Sequence, residues 1–128
     1  MMVVRGEGEG VIAHARNAAR ALVCLWVEWS GYPRLSRAAL EQAAEMLGGV
    51  HQPLGIACFV IDETAPDNAL WDWLMSLQRP TPSWMAGGWG SLLWVQNGQV
   101  VQAVPRGDQI TAGEIVARCQ ALWGGAHE

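Results

Sequence analysis

Charge is scarce in this sequence. Only 16% of its residues are Asp, Glu, Lys or Arg, against about a quarter in an ordinary soluble domain. The eight basic residues are scattered and the net charge is −4. No phosphate-tracking stripe is formed, which excludes nucleic acid as a partner. Long apolar runs are missing too: none reaches the roughly 18 residues of a membrane span, so no membrane role is expected. The first ten residues carry Glu7 and Glu9 and no apolar core. They are not read as a signal peptide, and the expected compartment is the cytoplasm. Cysteine is limited to Cys24, Cys58 and Cys119. An odd number at wide spacing gives neither a disulfide framework nor a zinc knuckle. Each lies in an apolar stretch and reads as a small buried hydrophobe.

Tyr and Phe occur once each, but there are eight tryptophans. Trp is rarely buried completely, so some of these indoles are expected at a surface that binds something. The hydrophobic fraction of 51% in 128 residues is enough for one domain around one core. A low charge content alongside it points to an apolar patch that a partner covers.

Periodicity sets out the elements. Residues 8–19 place Ile12, Ala15, Ala18 and Ala19 at helical spacing. Residues 21–27 (ALVCLWV) are a near-continuous apolar run of strand length, as in a strand buried on both faces. A long amphipathic helix follows Ser30 and Pro33. Leu35, Ala39, Ala43, Met46 and Leu47 form its apolar face, Arg37 and Glu41 pair on the other side, and Gly48-Gly49 end it. Ser30 is suited to cap that helix, and Pro33 is tolerated in its first turn. Residues 55–61 (GIACFVI) read as a second buried strand. Pro66 opens a helix through Leu77 with Leu70, Trp73, Leu74 and Leu77 on its apolar face, and Pro80 and Pro82 stop it. Residues 80–90 are a loop rich in Pro, Gly and Trp.

Residues 92–95 and 99–104 flank Asn97-Gly98, the strongest hairpin signal in the chain. Thr111 and Glu114 form a capping box for a last helix with Ile115, Val116, Cys119, Leu122 and Trp123 on one face, closed by Gly124-Gly125. A short first strand at Met2 to Arg5 would precede the first helix. The order is α-β-α-β-α-β-β-α: an α/β domain with a mixed central sheet of four to five strands and helices on both faces. The boundaries are an N-terminal arm at 1–7, the domain at 8–124 and a C-terminal tail at 125–128.

Several chemistries find no support. His14, His51 and His127 have no metal-ligand spacing with Cys, Asp or Glu, so no metal site is expected, and no cofactor. Ser30 as a hydrolytic nucleophile would need a base and an oxyanion hole, and no histidine has an acidic orienter beside it. Gly6-Glu7-Gly8-Glu9-Gly10 follows no strong strand and carries acids that repel phosphate. It reads as a flexible arm. Asp62, Glu63 and Asp67 read as a solvated loop.

This order, with Glu28-Trp29-Ser30-Gly31-Tyr32-Pro33 between the first buried strand and its helix, resembles the thioredoxin family. That family carries a strand, then Trp-Cys-Gly-Pro-Cys, then a helix. Trp26, Glu28, Trp29 and Gly31 stand in matching places. Gly88-Trp89-Gly90-Ser91, then Leu92 to Val95 and Asn97-Gly98, look like the family's Gly-Ile-Pro-Thr, apolar strand and turn. The resemblance extends over roughly residues 8 to 123.

The departures carry the functional expectation. By the resemblance, Ser30 and Pro33 stand at the two cysteine positions, and Tyr32 replaces the proline between them. The family's buried acid falls on Cys24, and its cis-proline on Gly90. A cis bond before a non-proline residue costs about 2.5–4 kcal/mol, so a trans Trp89–Gly90 bond is expected. Dithiol exchange needs a low-pKa thiolate and a second thiol within bonding reach, which the degenerate motif Ser30, Gly31, Tyr32, Pro33 cannot supply. No catalytic residue is assigned. The resemblance implies a non-catalytic, thioredoxin-like module that binds a protein or peptide in the groove beside the old active site. Trp29, Tyr32, Trp84, Trp89 and Gly90 would line that groove, and a homodimer through the same patch is a variant. The alternative is a residual thiol-disulfide oxidoreductase using non-motif cysteines, Cys24 with Cys58 being the pair that neighbouring strands would bring together.

Overall fold

A computed structural model describes residues 3–6, 8–28, 30–49, 55–64, 69–77 and 90–124. Its elements run β1 (Val3–Gly6), α1 (Gly8–Asn17), β2 (Arg20–Trp26), α2 (Tyr32–Gly49), β3 (Ala57–Asp62), α3 (Ala69–Ser76), β4 (Leu92–Gln96), β5 (Gln99–Val104), a 3-10 turn (Gly107–Gln109) and α4 (Ala112–Cys119). A wider π-type turn, Gln120–Gly124, continues α4. The five strands form one sheet in the order β1-β3-β2-β4-β5. β1, β3 and β2 are parallel, while β4 runs antiparallel to β2 and β5 antiparallel to β4.

The central strand explains the layering. Ala21 to Val27 are all buried, as a strand covered on both faces must be. Alternation then divides its side chains. Leu22, Cys24 and Trp26 pack with α2 and α4, while Ala21, Val23 and Leu25 pack with α1 and α3. β1 to β2 steps one way across the sheet and β2 to β3 steps back. Connections of one hand therefore place α1 and α2 on opposite faces.

Local chemistry fixes the ends. Asn97 and Gly98 have φ of 51° and 82°, as a two-residue type I′ turn requires. The Gly98 carbonyl accepts a 3.0 Å hydrogen bond from the Trp73 indole, tying the hairpin to α3. At α4 the Glu114 amide donates to the Thr111 hydroxyl and the Thr111 amide to the Glu114 carboxylate, both at 3.1 Å. The capping box is complete.

Five readings of the sequence need correction. Gly6 and Gly8 to Gly10 are not a free arm: Gly6 ends β1, which pairs with β3, and Gly8 to Gly10 form the first turn of α1. α1 stops at Asn17, its buried face is Val11, Ile12 and Ala15, and Ala19 is exposed. α2 runs through Gly48 and Gly49 instead of ending before them. Its buried face is Pro33, Ser36, Leu40, Ala43, Ala44 and Leu47, whereas Leu35 and Met46 point outward. Leu122 is likewise exposed, unlike Trp123. In each helix the apolar residues mark a broad arc. Packing selects the half of it that fits the sheet. Pro66, Asp67, Pro80 and Pro82 lie outside the described residues. Asp62 accepts from the Thr64 amide at 2.8 Å and from its hydroxyl at 2.5 Å, a local Asx turn at the end of β3.

Candidate functional site

The site of interest is the corner where β2 gives way to α2. Ser30 is nearly buried, and its hydroxyl accepts the Tyr32 amide at 3.3 Å. That amide is one of the donors a helix N-terminus leaves open. Ser30 therefore caps the helix from one residue further out than a regular N-cap, by the two-residue reach of a Ser turn. Gly31 faces open space, Pro33 is buried, and Tyr32 is 42% exposed.

Gly90 packs directly on this corner. Its φ is +72°, and a Cβ there would run into the Ser36 hydroxyl and come within 2.9 Å of Pro33 Cα. Proline is held near −65°, so the chain turns here in a way that no proline could. Gly107 closes the other side. Its amide donates to the Gly90 carbonyl at 3.2 Å. A Cβ on Gly107 would meet that same carbonyl, Ser36 and Leu92. Ser36, fully buried in the second turn of α2, donates back to the Tyr32 carbonyl at 3.3 Å. Ser91 donates to the Pro105 carbonyl at 3.0 Å, and its own carbonyl accepts from Leu25 at 3.0 Å. Small residues from three separate segments thus lock the corner to the sheet.

Two charged clusters flank it. The Arg106 guanidinium lies 4.4 Å from the Tyr32 ring centroid, within cation–π range. Asp108 accepts two hydrogen bonds from it, at 2.8 and 2.9 Å, and this pairing holds the Asp108 carboxyl below its ordinary value. On the far side, Arg5 and Arg37 lie 5.1 and 5.3 Å from the Trp26 ring. Glu28 accepts from the Trp26 indole at 3.2 Å and from Arg5 at 2.8 Å. The indole, then Arg5, hold its carboxyl below the usual range.

All three cysteines are buried thiols in one core layer, between the sheet and helices α2 and α4. Desolvation pushes Cys24 and Cys58 up to about 12 and Cys119 up to about 11. Arg37 pulls against the shift at Cys24, and the Trp94 indole against that at Cys119. Cys58 sits opposite Leu22 in the register and Cys24 opposite Val60. The two sulfurs are therefore diagonal neighbours across β2 and β3, and Cys119 bears on Cys58 electrostatically.

Of the residues singled out in the sequence, Ser30, Gly31, Tyr32, Pro33 and Gly90 do meet at this corner. Trp29, Trp84 and Trp89 lie outside the described residues, and so does the Trp89–Gly90 bond. Sequence reasoning missed Ser36, Arg106, Gly107 and Asp108. Ser36 left one trace: a polar residue on the helix face shared by Pro33 and Leu40. Among the described residues no three His, Cys, Asp or Glu side chains gather as metal ligands would. None of the described helices is long and apolar enough to cross a membrane.

Known structures share this architecture. The oxidised thioredoxin of Plasmodium falciparum matches 95% of this chain and 99% of its own, at TM-score 0.64 and 9% identity. A mutant thioredoxin from Halobacterium salinarum matches 94% and 90%, at TM-score 0.62 and 16% identity. Chloroplastic thioredoxin z matches 98% and 97%, at TM-score 0.59 and 19% identity. No protein-family model and no curated protein matches the sequence. The five-stranded mixed sheet, its helices on both faces and these structural neighbours together make this a chain with the thioredoxin-like fold.

Proposed function

We propose that this thioredoxin-like domain is a non-catalytic module that binds a protein or peptide at the β2–α2 corner, with the cytoplasm as its compartment. The observation that carries this reading is the state of the corner itself. The Ser30 hydroxyl is occupied as a helix cap, and Pro33 beside it has no reactive group. What the corner offers outward is the Tyr32 ring, 42% exposed and held by Arg106. A pre-positioned aromatic gives contact area at low entropic cost. Trp29, Trp84 and Trp89 belong to the same proposed surface by their places in the sequence.

The test is binding to an array of extended peptides, comparing the wild type with a Trp29→Ala, Tyr32→Ala double variant. This reading predicts peptides whose affinity falls at least about tenfold in the variant, the loss of one or two interface anchors. Equal retention by both proteins contradicts it.

The second reading, a thiol-disulfide oxidoreductase using non-motif cysteines, rests on the neighbouring thiols of Cys24, Cys58 and Cys119. Exchange needs a thiolate. A thiol at about 12 is ionised in only about one molecule in 10⁵ at pH 7. The burial of all three also denies a substrate disulfide access.

A further inference from the structure

The outer face of α2 contradicts its own sequence pattern. Leu35 and Met46, which periodicity assigns to the core, are 60% and 44% exposed. They lie about three helical turns apart, roughly 16 Å along the axis, and so on one side of the helix. Ala38 and Gln42 fill the exposed surface between them. Beside this strip runs a charged flank with a polarity of its own. Arg34 is exposed near the helix start and Glu45 near its end, again about three turns apart. Neither makes an ion pair among the described residues, unlike Arg37 and Glu41, which bond each other at 3.3 Å.

We propose that this face is a homodimer interface, with α2 packed antiparallel against α2 of a second copy. The argument is self-complementarity. The apolar pair and the charged pair have the same spacing, and their midpoints fall within one residue of each other near Leu40. A two-fold axis there sets Leu35 against Met46 of the second copy and Arg34 against Glu45 of the second copy. Symmetry repeats both contacts at the other end. A two-fold axis perpendicular to the helices keeps the charged flanks on the same side, so opposite charges meet. A parallel arrangement, with its two-fold axis along the helices, would put the charged flanks on opposite sides of the seam and leave Arg34 and Glu45 apart. The apolar strip supplies the affinity, and the exposed charges set orientation and register. One helix pair buries less than the area of a standard stable interface, so the dimer is a weak, concentration-dependent one. Leu35 lies one helical turn from Tyr32, so this interface borders the β2–α2 corner, but self-association is read without any peptide bound there.

Sedimentation velocity across about 1 μM to 1 mM tests the proposal on the full chain. The wild type is expected to pass from monomer to dimer within that range. Arg34→Glu alone, or Glu45→Arg alone, sets like charges together and is expected to raise the dissociation constant about tenfold or more. The two combined restore opposite charges at both ends and return it to near the wild-type value. Leu35→Glu is expected to leave only monomer. All of these side chains are exposed, and circular dichroism confirms that each variant is folded. A wild type that stays monomeric at every concentration overturns the proposal. So does a dimer indifferent to Arg34→Glu, a double reversal that fails to rescue, or a monomer that engages only a different protein through this face.

Discussion

Arg106 lies over the ring of Tyr32, its guanidinium carbon 4.4 Å from the ring centroid. The contact joins the β5–α4 connection to the first turn of α2, two segments far apart in the chain. Asp108 fixes the guanidinium from behind with two hydrogen bonds. Arg106→Ala therefore frees Tyr32. The urea midpoint is expected to fall with the m-value unchanged, and peptide affinity at the corner is expected to weaken with it.

Asp108 gives the same contact a pH dependence. Its carboxyl is held below the ordinary value by its hydrogen bonds to Arg106. A carboxylate depressed in the folded state contributes stability that is present above about pH 4, the unfolded value. That contribution is lost as pH falls through the folded value. Urea midpoints measured from pH 5 down to pH 2 should drop less steeply for Asp108→Asn than for the wild type. Identical acid limbs contradict the assignment.

Gly90 and Gly31 make a controlled pair. Gly90 has φ of +72° and is crowded by Ser36 and Pro33, whereas a Cβ on Gly31 would meet nothing within 4 Å. Gly90→Ala should cost about 2–4 kcal/mol in urea unfolding, the sum of a left-handed backbone and overpacking. Gly31→Ala should change stability by no more than about 0.5 kcal/mol. Similar costs at both sites would contradict the packing described at the corner.

The thiols predict both a reactivity and an alkaline limb. Cys24, Cys58 and Cys119 are buried, with values pushed up to about 12, 12 and 11. At pH 7 the folded protein should resist a thiol reagent until denaturant is added, and then titrate fully. A thiol raised in the folded state contributes stability that is complete below its unfolded value, about 8.5. That stability declines as pH rises toward the folded values. Unfolding midpoints should therefore fall between pH 9 and 11, and the fall should lessen in Cys24→Ala.

The parts of the fold legible in the sequence are those set by local chemistry. Asn97-Gly98 demands positive φ, Thr111 and Glu114 cap each other, and the apolar runs around Val23 and Phe59 fit strands covered on both faces. The rotation of α2 was not legible. Periodicity counts apolar residues, and on that count Leu35 and Met46 outweigh Ser36. In the folded chain Ser36 is buried because Gly90 and Gly107 approach it too closely for a larger side chain. That constraint comes from segments distant in sequence. The candidate site divides in the same way. Ser30, Tyr32, Pro33 and Gly90 are placed by resemblance and do meet. Arg106 and Asp108 arrive from a connection whose path no local pattern reports.

Reduction of insulin disulfides most directly tests the claim that this corner holds the fold without dithiol chemistry. The wild type should match the buffer rate, because no side chain at residues 30 to 33 can join a mixed disulfide. A Ser30→Cys, Pro33→Cys variant should exceed it, since the helix start that Ser30 caps would favour a thiolate there. Reduction by the wild type above the buffer rate would contradict the account.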